Sequence, residues 1–214
     1  MARNPVFQFP DRAQISPDFT GPRVAAIHGF MGRVLMQKHL LRWLRESGHR
    51  DTTMYGYFHA HTAIADDLCE VAANGRKVVI VGYSQGGFQA MKVARELRRR
   101  NTQVALLVTI AAGGLGRAFP GRWGFDLRRV PGNVDRCLNF FSEGDLLGED
   151  KIRQWNLARP VQAGQQIENH CFPKNEQLSH VRLVTCYPES RVHPSVRGVL
   201  LDRLRAELEP MYTP

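Results

Sequence analysis

Reactive chemistry concentrates first at Gly82-Tyr83-Ser84-Gln85-Gly86-Gly87, which follows the strand-like run Lys77–Val81 directly and leads into a helical pattern. A serine in a sharp turn between a strand and a helix projects its Oγ above the sheet. Glycines two positions before and two after leave room for so tight a bend. The first N–H groups of the following helix aim at any negative oxygen that forms beside that hydroxyl. The chemistry implied is attack by an activated hydroxyl on a carbonyl carbon. A second glycine-bearing loop, His28-Gly29-Phe30-Met31-Gly32, follows another apolar run, Val24–Ile27.

His59-Ala60-His61 with Asp66 and Asp67 raises a metal site as a rival reading, since two histidines and two carboxylates are usable ligands. A helix over His61–Asn74 would put both aspartates on its solvated face, and two histidines alone rarely hold a metal, so no metal is expected. Cys69, Cys137, Cys171 and Cys186 are widely spaced with no Cys-x-x-Cys pair. That excludes zinc-knuckle and thioredoxin-type motifs and predicts buried free thiols.

The elements that must position these groups follow from periodicity. Val24–Ile27, Lys77–Val81, Val104–Ile110, Cys137–Phe141 and Gln165–Phe172 have strand length and β-branched or aromatic content, with Thr52–Phe58 a weaker candidate. Helical spacing appears at Leu35, Leu40, Leu41 and Leu44 before Gly48, and at Ile64, Leu68, Val71 and Ala72 before Asn74-Gly75. A third helix runs from Gly87 to Arg100. A last one, opened by Pro194, sets Val199, Leu200, Leu204 and Leu208 on one face before Pro210 stops it. Alternating strands and helices predict an α/β fold: a mostly parallel sheet with helices on both faces and ligands beyond the carboxyl ends of the strands.

With the Gly-x-Ser-x-Gly turn and the His-Gly loop in this order, the chain resembles the α/β-hydrolase superfamily, and by size the small bacterial lipases and esterases with little or no cap. The resemblance implies that Ser84 is the nucleophile of a Ser-His-Asp triad. It also implies that the backbone N–H groups of Phe30 and Gln85 form the oxyanion hole, with Met31 as the alternative donor. His28 would fix its loop and take no part as a base. The family order of serine, acid, histidine places the acid at Asp145, in the turn Ser142-Glu143-Gly144-Asp145 after a late strand, with Glu143 and Asp150 as substitutes. The base is His180, which follows the strand Gln165–Phe172 by a loop. His193 is the alternative if Val181–Tyr187 is the last strand. His170 lies within a strand and fits least.

The activity so implied is hydrolysis of a small-molecule carboxylic ester through an acyl-enzyme, with no metal or organic cofactor. Thioesterase, acyltransferase or amidase activity on the same triad, and a non-catalytic binding protein on the same fold, are the alternatives. The segment Ala111–Asn133, with Phe119, Trp123 and Phe125, is a candidate lid or rim.

Composition bounds the rest. The 214 residues suit one domain, with residues 1–20 as an amino-terminal extension. At 43% hydrophobic and 23% charged, usage is that of a globular chain and excludes disorder. The net charge of +9 admits nucleic acid, anionic lipid or an acidic substrate. The arginines are scattered, however, and Arg98, Arg99 and Arg100 end a helix, where cations oppose its dipole. No nucleic-acid partner is expected. There is no apolar run of signal-peptide or bilayer-spanning length, so a soluble cytoplasmic protein is expected.

Overall fold

The structure is a computed structural model that describes residues 10–212 apart from 17, 115–125 and 127. Six strands form one sheet: β1 (Arg23–His28), β2 (Thr52–Gly56), β3 (Val78–Tyr83), β4 (Val104–Ile110), β5 (Val134–Ser142) and β6 (Gln166–Phe172). Their order is β2-β1-β3-β4-β5-β6, and every neighbouring pair is parallel. All six carboxyl ends therefore lie along one edge, and the segments leaving them share one end of the molecule.

The apolar runs are continuous because both faces of the sheet are covered. Val24, Val79, Val81 and Val108 point into a half-core with Met36, Leu44, Leu204 and Leu208. The alternate residues Ala25, Ile27, Ile80 and Leu107 point into another with Ile64, Leu68, Val93 and Leu97. Helices α1 (Arg33–Met36), α2 (Arg42–Glu46) and α5 (Asp202–Leu208) thus cover the first face, and α3 (His61–Ala73) and α4 (Gln85–Arg99) the second. Each fully buried leucine stabilises this arrangement by about 1.5–3 kcal/mol.

Several boundaries differ from expectation for local reasons. Helix α4 begins at Gln85, two residues earlier than its pattern suggests, because Ser84 is its amino-terminal cap and Gly86-Gly87 form part of its first turn. The β2 strand ends at Gly56, short of Phe58. Val181–Tyr187 is not a strand; it carries the short turn Arg182–Val184. Two π-helical stretches, Gln37–Leu41 between α1 and α2 and Val196–Leu201 before α5, insert an extra residue per turn and rotate the helical residues after them. Val199, expected on the buried face, is consequently exposed, while Val196 and Leu201 are buried. All four cysteines are free, but Cys69 and Cys171 are only half-buried. Burial pushes the Cys137 and Cys186 thiols up to about 12.

The amino-terminal extension meets the sheet at Asp11, whose N–H and C=O bond Met54 on the edge strand β2 (3.0 and 2.9 Å). Phe119, Trp123 and Phe125 of the expected rim, with the rest of 115–125 and residue 127, lie outside the described residues. Among the described residues no helix is long and apolar enough to cross a membrane.

Between β5 and β6 the chain forms no α-helix; residues 143–165 hold one 3-10 turn, Arg153–Asn156. A row of polar side chains in register across three strands holds this link to the sheet. Thr109 Oγ1 donates to Asn139 Oδ1 (2.8 Å), and Asn139 Nδ2 donates to Asn169 Oδ1 (2.8 Å) and to the Asn156 carbonyl (2.6 Å). Asn169 exchanges hydrogen bonds with the Ala158 main chain, and Asn156 does the same with the Asp150 main chain.

Candidate active site

Ser84 joins β3 to α4 with φ 54° and ψ −123°, a backbone that side-chain-bearing residues adopt at a cost of about 1–3 kcal/mol. Its surroundings hold it there. The Ser84 N–H donates to the Ile110 carbonyl (2.8 Å), and its carbonyl accepts from Gly87 (2.9 Å). A Cβ on Gly82 would fall 2.5 Å from the Gly86 carbonyl oxygen, and one on Gly86 would fall 1.9 Å from that of Ile27. Both glycines are therefore obligatory for a turn this close to the neighbouring strand.

The loop after β1 lies directly against the serine. A Cβ on Gly29 would meet Ser84 Cβ at 2.7 Å, the Gln85 nitrogen at 2.9 Å and Ser84 Oγ at 3.0 Å. Gln85 is the first residue of α4, so its N–H has no partner within the helix. The Gly32 N–H donates to the Gly29 carbonyl (3.1 Å), closing a turn with Phe30 and Met31 at its corners; Met31 takes a left-handed backbone with φ 52°. His28 Nδ1 lies 2.7 Å from the Gly29 carbonyl, and burial lowers the pKa of its imidazole, so the neutral ring donates to the loop it adjoins. This is the loop-fixing geometry expected of it.

Asp145 and His180 come together. Asp145 Oδ2 stands 2.8 Å from His180 Nδ1, with side chains 2% and 13% exposed. The other carboxylate oxygen accepts from the Leu147 N–H (3.1 Å). A carboxylate on Nδ1 selects the tautomer that leaves Nε2 free to accept a proton. Two residues that sequence reasoning passed over hold this pair. The Tyr83 hydroxyl donates to the His180 carbonyl (3.1 Å), and its ring lies against the imidazole with centroids 5.0 Å apart. Burial first, and then the Asp145 charge, raise the Tyr83 phenol above its ordinary range and keep it a donor. Gly148 is the other: a Cβ there would meet Asp145 Oδ2 at 2.4 Å and His180 Nδ1 at 2.8 Å. Tyr83 is an unspecified position of the serine motif, and nothing in the sequence marks Gly148.

The other candidates lie elsewhere. His193 Nδ1 accepts from the Ser195 N–H (3.3 Å), capping the turn that leads to α5. His170 stacks on Phe140 with ring centroids 4.8 Å apart and pairs with Glu168. Glu143 accepts from the Lys174 N–H (3.4 Å) and faces Arg153 (3.7 Å). Asp150 is tied through its main chain to Asn156.

A model of the α/β-hydrolase family matches residues 14–209. The chain belongs to this family. Solved structures extend the likeness of fold. A protein of unknown function from Agrobacterium tumefaciens aligns at 16% identity and TM-score 0.58 over 92% of each chain. An arylesterase aligns at 11% and 0.58, over 94% of this chain and 83% of its own. The thioesterase RedJ of the prodiginine pathway in Streptomyces coelicolor aligns at 15% and 0.53, over 94% and 92%. No curated protein matches by sequence.

In this α/β hydrolase three of the four residues of the rival metal reading are engaged separately. His59 Nδ1 accepts from the Gly56 N–H (3.0 Å), and Asp66 pairs with Arg100. Asp67 is not on a solvated face as the helix pattern suggested. It turns toward the sheet, where it binds Arg23 (2.6 Å) and the Tyr55 hydroxyl. Among the described residues no group of three or more His, Cys, Asp or Glu could hold a metal ion. A cavity lined by Met91, Ala112, Phe141, Gly148 and Trp155 borders the Asp145 turn.

Proposed function

We propose that this α/β hydrolase is a serine hydrolase that cleaves a carboxylic ester through an acyl-enzyme intermediate. Ser84 is the nucleophile, His180 the general base and Asp145 the acid that orients it. The N–H groups of Phe30 and Gln85 bind the oxyanion. His180 Nε2 takes the proton of Ser84 Oγ as the oxygen attacks the ester carbonyl, and the imidazolium then protonates the departing alcohol. Water, deprotonated by the same nitrogen, releases the acid and restores Ser84. Asp145 stabilises the imidazolium throughout. The observation that carries this reading is the backbone of Ser84, held left-handed between β3 and α4 with Gly29 and the Gln85 N–H against its side chain.

A fluorophosphonate probe tests it. Stoichiometric labelling is expected for the wild type and none for Ser84→Ala; no labelling of the wild type overturns the reading. A panel of nitrophenyl esters and acyl thioesters, run with His180→Ala and His193→Ala, separates ester from thioester preference and checks the base. Activity lost only in His193→Ala refutes the role of His180.

A further inference from the structure

The large apolar side chains that the fold leaves exposed are not scattered. Among the described residues every one except Val199 lies on a segment leaving the carboxyl end of β1, β2, β5 or β6, or in the first turn of α1. Phe30, Met31, Phe58, Leu146, Leu147 and Val181 are the most exposed, Met31 at 85% and Leu146 at 74%. Since the sheet is wholly parallel, they share the end of the molecule at which Ser84 stands. Several are tied to the site itself: the Phe30 and Phe58 rings lie 6.2 and 5.6 Å from that of Tyr57, Leu146 and Leu147 follow Asp145, and Val181 follows His180. Apolar surface gathered in this way marks a place where something apolar docks.

Exposed charge in the same segments is one-sided as far as residue 184, beyond which Glu189 and Arg191 are both exposed. Within 29–34, 57–60, 143–157 and 173–184 the exposed charged residues are Lys151, Arg153, Lys174 and Arg182, all cations. Each acid there is buried or half-buried among the described residues: Asp145 and Asp150 are buried, and Glu143, Glu149 and Glu176 half-buried. Lys151, Lys174 and Arg182 make no ion pair among the described residues. An apolar ring with cations and no exposed acid complements a surface that is apolar inside and anionic at its head groups.

We propose that this end of the molecule docks on an anionic lipid bilayer, and, resting on the hydrolase reading above, that the esters reaching Ser84 are drawn from that lipid phase. The apolar side chains enter the head-group boundary while Lys151, Lys174 and Arg182 stay at the phosphate level. A protein seated on the same ring would close the route to Ser84, whereas a bilayer supplies an acyl ester through it.

Co-sedimentation of the full chain and of Ser84→Ala with vesicles tests this. Both are expected to bind equimolar phosphatidylglycerol–phosphatidylcholine vesicles, to leave them as salt is raised, and to bind phosphatidylcholine alone at least tenfold more weakly. Lys151→Gln with Arg182→Gln lowers the partition about twenty-five-fold, at about fivefold per cation. Leu146→Ser lowers it about tenfold at every salt concentration. No sedimentation of the wild type, or equal partition into both vesicle types, overturns the proposal. So does self-association that Leu146→Ser abolishes while vesicle binding is absent, since the face would then belong to a second copy of the chain. Vesicle binding by Ser84→Ala with no fluorophosphonate labelling of the wild type would leave the docking surface standing and remove the hydrolase reading. Labelling without vesicle binding would do the reverse.

Discussion

Gly148→Ala tests the proposed acid–base pair directly, because it adds one methyl group and removes no functional atom. That carbon would stand 2.4 Å from Asp145 Oδ2, 2.6 Å from Ala111 Cβ and 2.8 Å from His180 Nδ1. Unstrained contact begins at about 3.5 Å, so the carboxylate has to retreat by about 1 Å. Gly148 is not in the left-handed region, so alanine brings no backbone strain and the effect is steric alone. A 2.8 Å hydrogen bond displaced this far is lost. In a serine triad, losing the orientation supplied by the acid lowers kcat by about 10⁴, equivalent to about 5 kcal/mol of barrier. Allowing for partial relaxation, kcat for a nitrophenyl ester is expected to fall by about 10²–10⁴ with KM changed only a few-fold, and fluorophosphonate labelling to slow in parallel. Overpacking should also lower stability by about 1–3 kcal/mol, which circular dichroism at the assay temperature checks. A folded Gly148→Ala protein with wild-type kcat would mean that the Asp145–His180 contact serves no reaction.

Two further perturbations test how the site is held. Asn139→Ala orphans the Thr109 hydroxyl and the Asn156 carbonyl and removes one of the two bonds to Asn169 Oδ1, and is expected to cost about 2–4 kcal/mol and about 5–12 °C in Tm. A calorimetric shift under about 2 °C would show that the row does not hold the β5–β6 link. His49, beside Tyr212, is pushed down to about 4, chiefly by burial and then by Arg205. Its neutral form is the buried one, so its contribution is complete above the ordinary histidine value of about 6.5 and is lost as pH falls toward 4. Denaturant unfolding should weaken by about 2 kcal/mol across that window, after allowance for screening, and His49→Phe should flatten the slope; an unchanged slope refutes the assignment.

The order of strands and helices was readable because both faces of the sheet are buried, which turns β1, β3 and β4 into unbroken apolar runs. β2 was faint because its buried residues include Thr52 and Thr53, whose polarity hides their burial. The π-helical stretches were invisible, since an inserted residue leaves composition unchanged and alters only which side of Val196–Leu201 faces inward. Of the residues proposed to act, Ser84 and Asp145 follow β3 and β5 closely and were picked out by pattern and family order, while His180 is separated from β6 by a loop. Choosing His180 over His193 depended on whether Val181–Tyr187 pairs with the sheet, a long-range fact that local propensity does not carry. Tyr83 and Gly148 were illegible for the same reason: their roles lie in contacts with residues far along the chain. The rim cations show the limit most plainly. Lys151, Arg153, Lys174 and Arg182 read as scattered charge along the sequence, and only parallel strands bring them to one end.

Serine is a poor occupant of the backbone position it holds. With φ at 54° and ψ at −123°, glycine would sit there without penalty. A copy of the chain relieved of its chemistry would fold more firmly with glycine at 84, and random drift would reach that change readily because it removes a burden. A hydroxyl placed where the polypeptide bears it at a cost is what the proposed reaction requires and the architecture does not.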